Sequence, residues 1–335
     1  MFHYHLHGLI VASETPLSAV PCNTPAEHAD TPSVHLLPWQ SDSELFDLLC
    51  APVHAESMPL IHRNLLDNDG NIESTIRSIA HDHGWRTLFF GEVLFHFDIA
   101  SEQLQRVTRS PDTVALGEAL QVGSYWATLT ALRGRTPIHG SAVDMPDGGT
   151  WLIVAPSGHG KTSTAASLLL AGAKLRSDDV VTLTQQADRQ WGCESGSLSL
   201  RMRQAIPAAE LAAAPSLRAG DVSGDKRYLY SSTDNIPRLE TVRGICFPVL
   251  DEFAAEVSIT PVDLFTGFKQ LANDPRVGGV QDRQYQTQRV AQLTALCRAL
   301  PMLELRLPFL NRQLSSQGAE IARLLQQHGE QRPPA

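Results

Sequence analysis

A glycine-rich stretch contains the residues best suited to binding a phosphate. Residues 155–162 read APSGHGKT. Gly158 and Gly160 leave main-chain amides open, whereas a side chain there would hold a phosphate away from them. Lys161 supplies a positive charge for β- and γ-phosphates, and Thr162 offers a hydroxyl to Mg²⁺. We therefore predict a nucleotide site with ATP and Mg²⁺. Its candidate contacts are Ser157, Gly158, His159, Gly160, Lys161, Thr162 and Ser163.

The flanks of this stretch are those that a phosphate-binding loop needs. WLIVA at 151–155 is typical of a buried strand, and TSTAASLLLAG at 162–172 is typical of a helix. The first amides of a helix favour a bound anion. Ala155 stands where the pattern G-x-x-x-x-G-K-[ST] has its first glycine, and alanine suits that position if its φ is negative. The alternative interpretation is an ordinary strand–turn–helix that binds nothing.

Two adjacent acids, Asp178 and Asp179, follow the short apolar run AKLRS at 173–177. The helix returns the chain to the sheet edge from which the loop departs, so we expect the carboxylates near the γ-phosphate. One carboxylate beside a phosphate can accept a proton from an attacking hydroxyl while the other helps to hold a metal ion. The alternative is a plain turn, since serine and aspartate both favour turns.

These elements together resemble the HPr kinase/phosphorylase family. That family has a loop of the form G-x-S-G-x-G-K-[ST], a His–Gly pair on the strand before it and an Asp–Asp pair after the following helix. Here the pair His139–Gly140, the loop and the acidic pair occur in that order, within about residues 136–184. The resemblance implies an α/β catalytic domain of the phosphoenolpyruvate carboxykinase-like P-loop fold, with a mixed rather than an all-parallel sheet.

The resemblance also implies a role for each matched residue. Asp178 would accept the proton of a serine hydroxyl, and Lys161 would neutralise charge at the β–γ bridge. Thr162 and Asp179 would help to hold Mg²⁺, and His139 would support the loop or approach the phosphate. ETVRGICFPVL at 240–250 resembles the later E-x-R-G segment of the family with the glutamate one residue out of register. We therefore expect Arg243, rather than Glu240, near the site.

The N-terminal part resembles a different branch, the HPr-kinase-related proteins encoded with ribosomal peptide natural products. GLIVASETPL at 8–17 matches their opening segment, and LPMLELRLP at 300–308 resembles their C-terminal strand. This implies a kinase that phosphorylates a serine of a peptide or small protein, such as the C-terminal serine of a lasso-peptide precursor. Three alternatives remain open: an NTP-hydrolysing switch or assembly factor, an HPr-type serine kinase/phosphorylase, and a binding module whose site has decayed.

Other polar residues have competing interpretations. His3, His5 and His7 alternate on one predicted strand, where an exposed polar face is more typical than a metal site. Lys226 and Arg227 lie in a polar, glycine-containing stretch that we predict to be a loop, able to grip a phosphate or a peptide carboxylate. We predict Arg201 to be a surface charge on a strand.

The predicted elements and the family resemblance together divide the chain into four expected parts. Residues 1–110 form a mixed, mostly β region that we expect to dock the acceptor substrate, and 111–135 form a connecting helix. Residues 136–328 form the catalytic domain, and 329–335 a disordered tail.

The composition indicates which classes of partner the protein is expected to bind or to avoid. The 335 residues carry a net charge of −9, which opposes binding to nucleic acid. The five cysteines show no CxxC spacing, so we expect neither a zinc site nor a disulfide framework. We therefore expect a cytoplasmic setting. We expect no membrane partner, because no apolar run is long enough to span a bilayer. Proteins of this likeness often form rings, but no feature of the sequence defines an oligomer.

Overall fold

The computed structural model describes residues 1–17, 22–23, 33–66, 71–156, 158–202, 206–214, 216–223, 226–231, 236–273, 276–308 and 313–330. The chain forms two compact units. The first comprises Met1–Ser18, Cys22–Arg135 and Arg276–Val290, and the second comprises Thr136–Pro275 and Ala291–Ala335. The sequence-based division places 276–290 in the catalytic region and treats 111–135 as a connector, whereas both belong to the first unit.

The first unit is built on a mixed sheet with the strand order β3-β1-β2-β4-β9-β8-β7-β6-β5. Its helices within the described residues include α1 (Ser43–Ala55), α2 (Val114–Leu120) and α3 (Trp126–Leu132), the last two joined through a π turn at Gln121–Tyr125. Its strands are β1 (Phe2–Leu6), β2 (Leu9–Ser13), β3 (Cys22–Asn23), β4 (Val34–Ser41), β5 (Ile61–Leu66), β6 (Ile72–His81), β7 (Gly84–Phe89), β8 (Val93–Asp98) and β9 (Gln103–Thr108).

Local signals explain several of these elements. Asp42 caps α1 by accepting a hydrogen bond from the Leu45 amide at 3.0 Å. Residues 2–13 form a hairpin, and His7 lies in its turn rather than on the predicted strand with His3 and His5. His7 (φ 54°) and Gly8 (φ 75°) both take the left-handed conformation that a two-residue hairpin turn requires.

The second unit has the mixed sheet that the sequence predicts. Strand order is β12-β10-β11-β18-β14-β13, and β20 and β19 continue from the other half of the long strand β18. Strand β11 is parallel to β18, and β18 is parallel to β20. The strands concerned are β10 (Ser141–Asp144), β11 (Thr150–Ile153), β12 (Lys174–Ser177), β13 (Leu183–Gln185), β14 (Trp191–Glu194), β18 (Leu239–Asp251), β19 (Ser258–Pro261) and β20 (Met302–Pro308).

Helices cover both faces of this sheet. Apolar residues alternate along its strands, so that Val143 and Ile153 face one core and Ala142 and Leu152 face the other. The first core includes residues of α4 (Lys161–Leu170) and α8 (Leu314–Glu330). The second includes residues of α6 (Leu264–Asn273) and of the C-terminal part of α7 (Arg283–Ala299). Gly318 lets α8 lie close against α4, because a Cβ there would stand 1.8 Å from the Ser167 carbonyl oxygen.

A separate three-stranded sheet packs against the first of these cores. Its order is β15-β17-β16, with β15 at Ser199–Met202, β16 at Leu217–Ser223 and β17 at Lys226–Ser231. The short helix α5 (Ala208–Ala212) precedes β16. The polar loop predicted around Lys226 and Arg227 is therefore wrong in its described part, because strands β16 and β17 pair there.

Candidate functional site

The phosphate-binding loop leaves the end of β11 and enters α4. Gly158 (φ 82°) and Gly160 (φ 87°) both adopt the left-handed conformation that favours glycine. A Cβ at Gly158 would meet no other atom within 4 Å, so glycine serves the backbone conformation there rather than tight packing. Ala155 is buried and is not among the residues with a positive φ, which is the condition for alanine at that position. Ser157 lies outside the described residues.

Lys161 is the first residue of α4, and its side chain lies back across the loop. Nζ donates a hydrogen bond to the carbonyl oxygen of Ala155 at 2.5 Å, and the residue is buried. This contact holds the ammonium group over the loop that follows the strand. His159 and Ser163 are exposed and Thr162 is half-buried. The loop thus offers amides at a helix N-terminus, a cation and a hydroxyl within one turn.

Asp178 follows the last residue of β12 and is buried. Its Oδ1 accepts a hydrogen bond from the Ser141 hydroxyl at 2.6 Å, and its amide donates to the Ser197 carbonyl oxygen at 3.1 Å. Burial raises the pKa of this carboxyl from 3.8 to about 6, against the opposing effect of the Ser141 hydrogen bond. A carboxyl with a pKa close to neutral can both accept and release a proton under physiological conditions.

Asp179 has a different environment although it is the next residue. Its φ of 71° is left-handed, which is uncommon for a residue other than glycine. Oδ2 accepts a hydrogen bond from Arg201 Nη2 at 3.0 Å, and Oδ1 lies 3.5 Å from His139 Nε2. The two carboxylates are therefore distinguished by burial and by charged neighbours.

The strand register brings the loop and the acidic pair to the same edge of the sheet. Ser141 is paired with Ile153 at the end of β11, and Ala142 is paired with Ser177 at the end of β12. The chain leaves both strands at this edge, toward the loop from one and toward Asp178 from the other. One strand, β10, lies between them, so the two exits are separated by about 10 Å, twice the spacing of paired strands.

A buried arginine fixes the position of β12. Arg176 has no exposed surface. Its Nε and Nη2 donate hydrogen bonds to the two carboxylate oxygens of Asp144, both at 2.7 Å. Nη1 donates to the carbonyl oxygens of Cys193 at 3.3 Å and Pro237 at 2.9 Å. This network ties β12 to β10 and to β14, and so sets where Asp178 leaves the sheet.

Of the other residues named from the sequence, Arg243 lies away from the loop. Arg243 donates to Asp147 Oδ2 at 2.6 Å, beside the turn that precedes β11, which is the opposite end of that strand from the loop. The Glu240 side chain accepts a hydrogen bond from the amide of Thr241 at 3.0 Å. Arg227 is exposed and is paired with Met202. The side chain of Lys226 lies outside the described part.

Two residues of the site were missed by sequence reasoning. Ser141 follows the His–Gly pair, but only the pairing of β10 with β12 reveals its contact with Asp178. Arg201, predicted to be a surface charge, forms an ion pair with Asp179 instead. No local pattern signals either contact, because the partners lie 37 and 22 residues apart in sequence.

Two further observations concern metal-binding side chains and membrane-spanning helices. Among the described residues, no group of three or more His, Cys, Asp or Glu side chains is arranged to hold a metal ion by itself. Within the same ranges, no helix has both the length and the apolar character needed to cross a bilayer.

Comparison with known proteins gives little further guidance. No family model and no curated protein matches the sequence. Among solved structures, the chain is similar to the "Hpr(Ser) kinase/phosphatase from Coxiella burnetii", with 13% sequence identity and a TM-score of 0.31. The match covers 58% of this chain and 96% of that chain.

Proposed function

We propose that the protein is an ATP- and Mg²⁺-dependent kinase that transfers the γ-phosphoryl group to a serine hydroxyl of a peptide or small protein. One observation carries the proposal: a loop with two left-handed glycines and a lysine shares a sheet edge with a buried carboxyl of raised pKa. Phosphoryl transfer to a hydroxyl requires a protein to bind and orient the two substrates and to supply a group that accepts the hydroxyl proton. A carboxylate beside the loop can be that group.

The loop would bind the nucleotide phosphates through the amides around Gly158 and Gly160. Lys161 would exchange its contact with the Ala155 carbonyl for the β- and γ-phosphate oxygens. That exchange is favourable, since a phosphate is a charged acceptor and a carbonyl is not. His159, Thr162 and Ser163 would line the same turn.

The oxygen donors at this edge fit Mg²⁺. Carboxylate and hydroxyl oxygens are the ligands that this ion prefers, and it commonly takes only one or two from the protein with the rest from water and phosphates. Asp179 and Thr162 would hold it, and when bound it would offset the negative charge of the phosphates. Asp179 is partly neutralised by Arg201, while His139 orients its other oxygen.

Asp178 would accept the proton of the acceptor serine. As the serine oxygen bonds to the γ-phosphorus, the bond from that phosphorus to the β–γ bridging oxygen breaks and ADP leaves. The serine proton passes to Asp178 Oδ2, since Oδ1 already accepts from Ser141. Ser141 is therefore a positioning residue that directs which oxygen faces the acceptor.

The resemblance of residues 8–17 and 300–308 to HPr-kinase-related proteins supports a precursor peptide, with its C-terminal serine, as the acceptor. The resemblance of about residues 136–184 to the HPr kinase/phosphorylase family supports a phosphoenolpyruvate carboxykinase-like fold for the second unit. We further propose that the first unit docks the acceptor.

The deciding experiment incubates the full chain with γ-³²P-ATP, Mg²⁺ and the peptides encoded beside its gene, followed by mass spectrometry. A gain of one phosphoryl group on a serine is expected. Asp178→Asn should bind ATP like the wild type but lose transfer by at least about a hundredfold, the lower end for general-base catalysis. Exposed Asp188 provides the control, since Asp188→Asn should retain full transfer.

Release of free phosphate with no labelled peptide would instead indicate an NTP-hydrolysing switch. Transfer by Asp178→Asn at the wild-type rate would refute the assigned proton acceptor.

A further inference from the structure

The small sheet β15–β17–β16 has two faces of opposite character. One face is buried in the core of the second unit, through Leu200, Met202, Leu217 and Leu229. The other face, which we name the arginine–tyrosine face, consists of Arg201, Arg218, Tyr228 and Tyr230. Strand register places these four on one side, because Arg201 is paired with Tyr228 and Arg218 is paired with Tyr230.

The rings of this face are held in a defined arrangement. Tyr228 and Tyr230 are stacked, with centroids 6.1 Å apart and ring planes at 15°. The Arg218 guanidinium carbon lies 5.5 Å from the centroid of the Tyr230 ring. Gly220 makes room for that ring, since a Cβ at Gly220 would stand 2.2 Å from Tyr230 Cε2. A preordered set of flat side chains loses little conformational entropy when a ligand binds.

The arginine–tyrosine face is continuous with the acidic pair. Arg201 belongs to the face and also donates to Asp179 at 3.0 Å. The Ser197 carbonyl, two residues before β15, accepts from the amide of Asp178 at 3.1 Å. A chain lying on this face therefore leads directly to the carboxyl that would receive the acceptor proton.

The charge of this face is opposite to that of the whole chain. Arg201 is paired with Asp179, so the exposed positive charge of the face comes from Arg218, while the chain carries a net charge of −9. Guanidinium groups pair with carboxylates in a bidentate manner, and tyrosine rings pack against extended peptide backbone. A local cationic patch on an acidic protein selects an acidic partner and repels a basic one.

We propose that the arginine–tyrosine face binds an extended, acidic segment of the acceptor peptide beside the serine that is phosphorylated. This inference rests on the proposed function and adds the chemical class of the acceptor. Arg218 and Tyr230 anchor the segment, and Arg201 lies at its end nearest the acidic pair.

Binding of labelled synthetic peptides to the full chain tests this proposal. The peptides contain one serine and differ only in having Glu, Gln or Lys at the flanking positions, and fluorescence anisotropy is measured in EDTA without nucleotide. The Glu peptide should bind at least about tenfold tighter than the Gln peptide, and the Lys peptide weakest. Raising the salt from about 0.05 to about 0.3 M should reduce that preference. Equal affinity for the three peptides, or tighter binding of a labelled oligouridylate than of the Glu peptide, would overturn the proposal.

Matched variants locate the binding site. Arg218→Gln should weaken the Glu peptide about fivefold, in line with the loss of one charged contact, and leave the Gln peptide unchanged. Arg298→Gln removes the same charge from an exposed position on α7 and should change neither. Identical behaviour of the two variants would contradict the proposal, as would a larger loss of ATP affinity than of peptide affinity in Arg218→Gln.

This design separates the two proposals. A preference for the Glu peptide without any phosphoryl transfer would support the docking face and contradict the kinase. Transfer to a serine without any acidic preference would support the kinase and contradict the docking face.

Discussion

Replacing Asp178 by asparagine should make the metal-free protein more stable at neutral pH. The carboxyl is buried, and its pKa is raised from 3.8 to about 6. Asparagine has nearly the same shape, and its carbonyl oxygen can still accept the Ser141 hydrogen bond. The variant thus removes a buried charge and also alters the contact of this side chain with the Asp179 amide.

The size and sign of the effect follow from the two pKa values. Because the unfolded state loses the proton near pH 3.8 and the folded state near pH 6, the wild type loses stability as pH rises through that window. The difference of about 2.2 between these two pKa values corresponds to about 3 kcal/mol of stability at pH 8. At pH 4.5 the same linkage leaves only about 1 kcal/mol. Asp178→Asn should therefore gain about 2 kcal/mol over the wild type between the two pH values.

Urea denaturation in EDTA at both pH values measures this difference. Hydrogen exchange of peptides from residues 136–200 assigns the transition to the second unit, since the chain has two units and need not unfold in one step. Exposed Asp188 supplies the control, and Asp188→Asn should shift stability by less than about 0.5 kcal/mol at either pH. A pH-independent effect of Asp178→Asn, or lower stability of that variant at pH 8, would refute the reasoning.

Two further predictions concern the framework behind the site. Arg176→Met should destabilise the second unit by about 3 kcal/mol, because the half-buried Asp144 carboxylate would lose its bidentate partner and keep only the Thr150 hydroxyl. The double variant with Asp144→Leu should recover at least half of that loss in the same urea experiment, and no recovery would contradict the argument. Gly318→Ala should cost about 1–3 kcal/mol by forcing α8 away from α4. Ala319→Gly on the same helix serves as its comparison, with a smaller loss of about 1 kcal/mol from helix propensity alone expected.

The local parts of the site could be predicted from the sequence. A buried strand, a glycine turn and a helix are adjacent in the chain, so residues 151–170 specify their own geometry. The return strand β12 was also predictable, since it follows that helix after a short turn. These features depend on hydrophobic period and on glycine, both of which are visible in one sequence.

The long-range contacts could not be predicted in this way. The hydrogen bond between the Ser141 and Asp178 side chains depends on which strands are neighbours and on their register. A register shift of one residue would turn the Ser141 side chain to the other face of the sheet. The hairpin β16–β17 was hidden because its glycine and polar residues are typical of loops. Only its buried face, which includes Leu217 and Leu229, explains why the segment forms strands.

The adjacency of Asp178 and Asp179 has a structural reason. Successive residues of an extended strand point to opposite sides, so a pair at a strand end places one carboxyl inward and one outward. The left-handed φ of Asp179 completes this separation by turning the chain as β12 ends. Such a conformation costs about 1 kcal/mol or more for a residue other than glycine, and outliers of this kind cluster at functional sites. Here it gives two neighbouring carboxylates different surroundings, a buried one held by a hydroxyl and a half-buried one held by Arg201 and His139. If one carboxylate is to accept a proton and the other is to hold a metal ion, the two need different surroundings. A turn that left both side chains in solvent would not produce that difference.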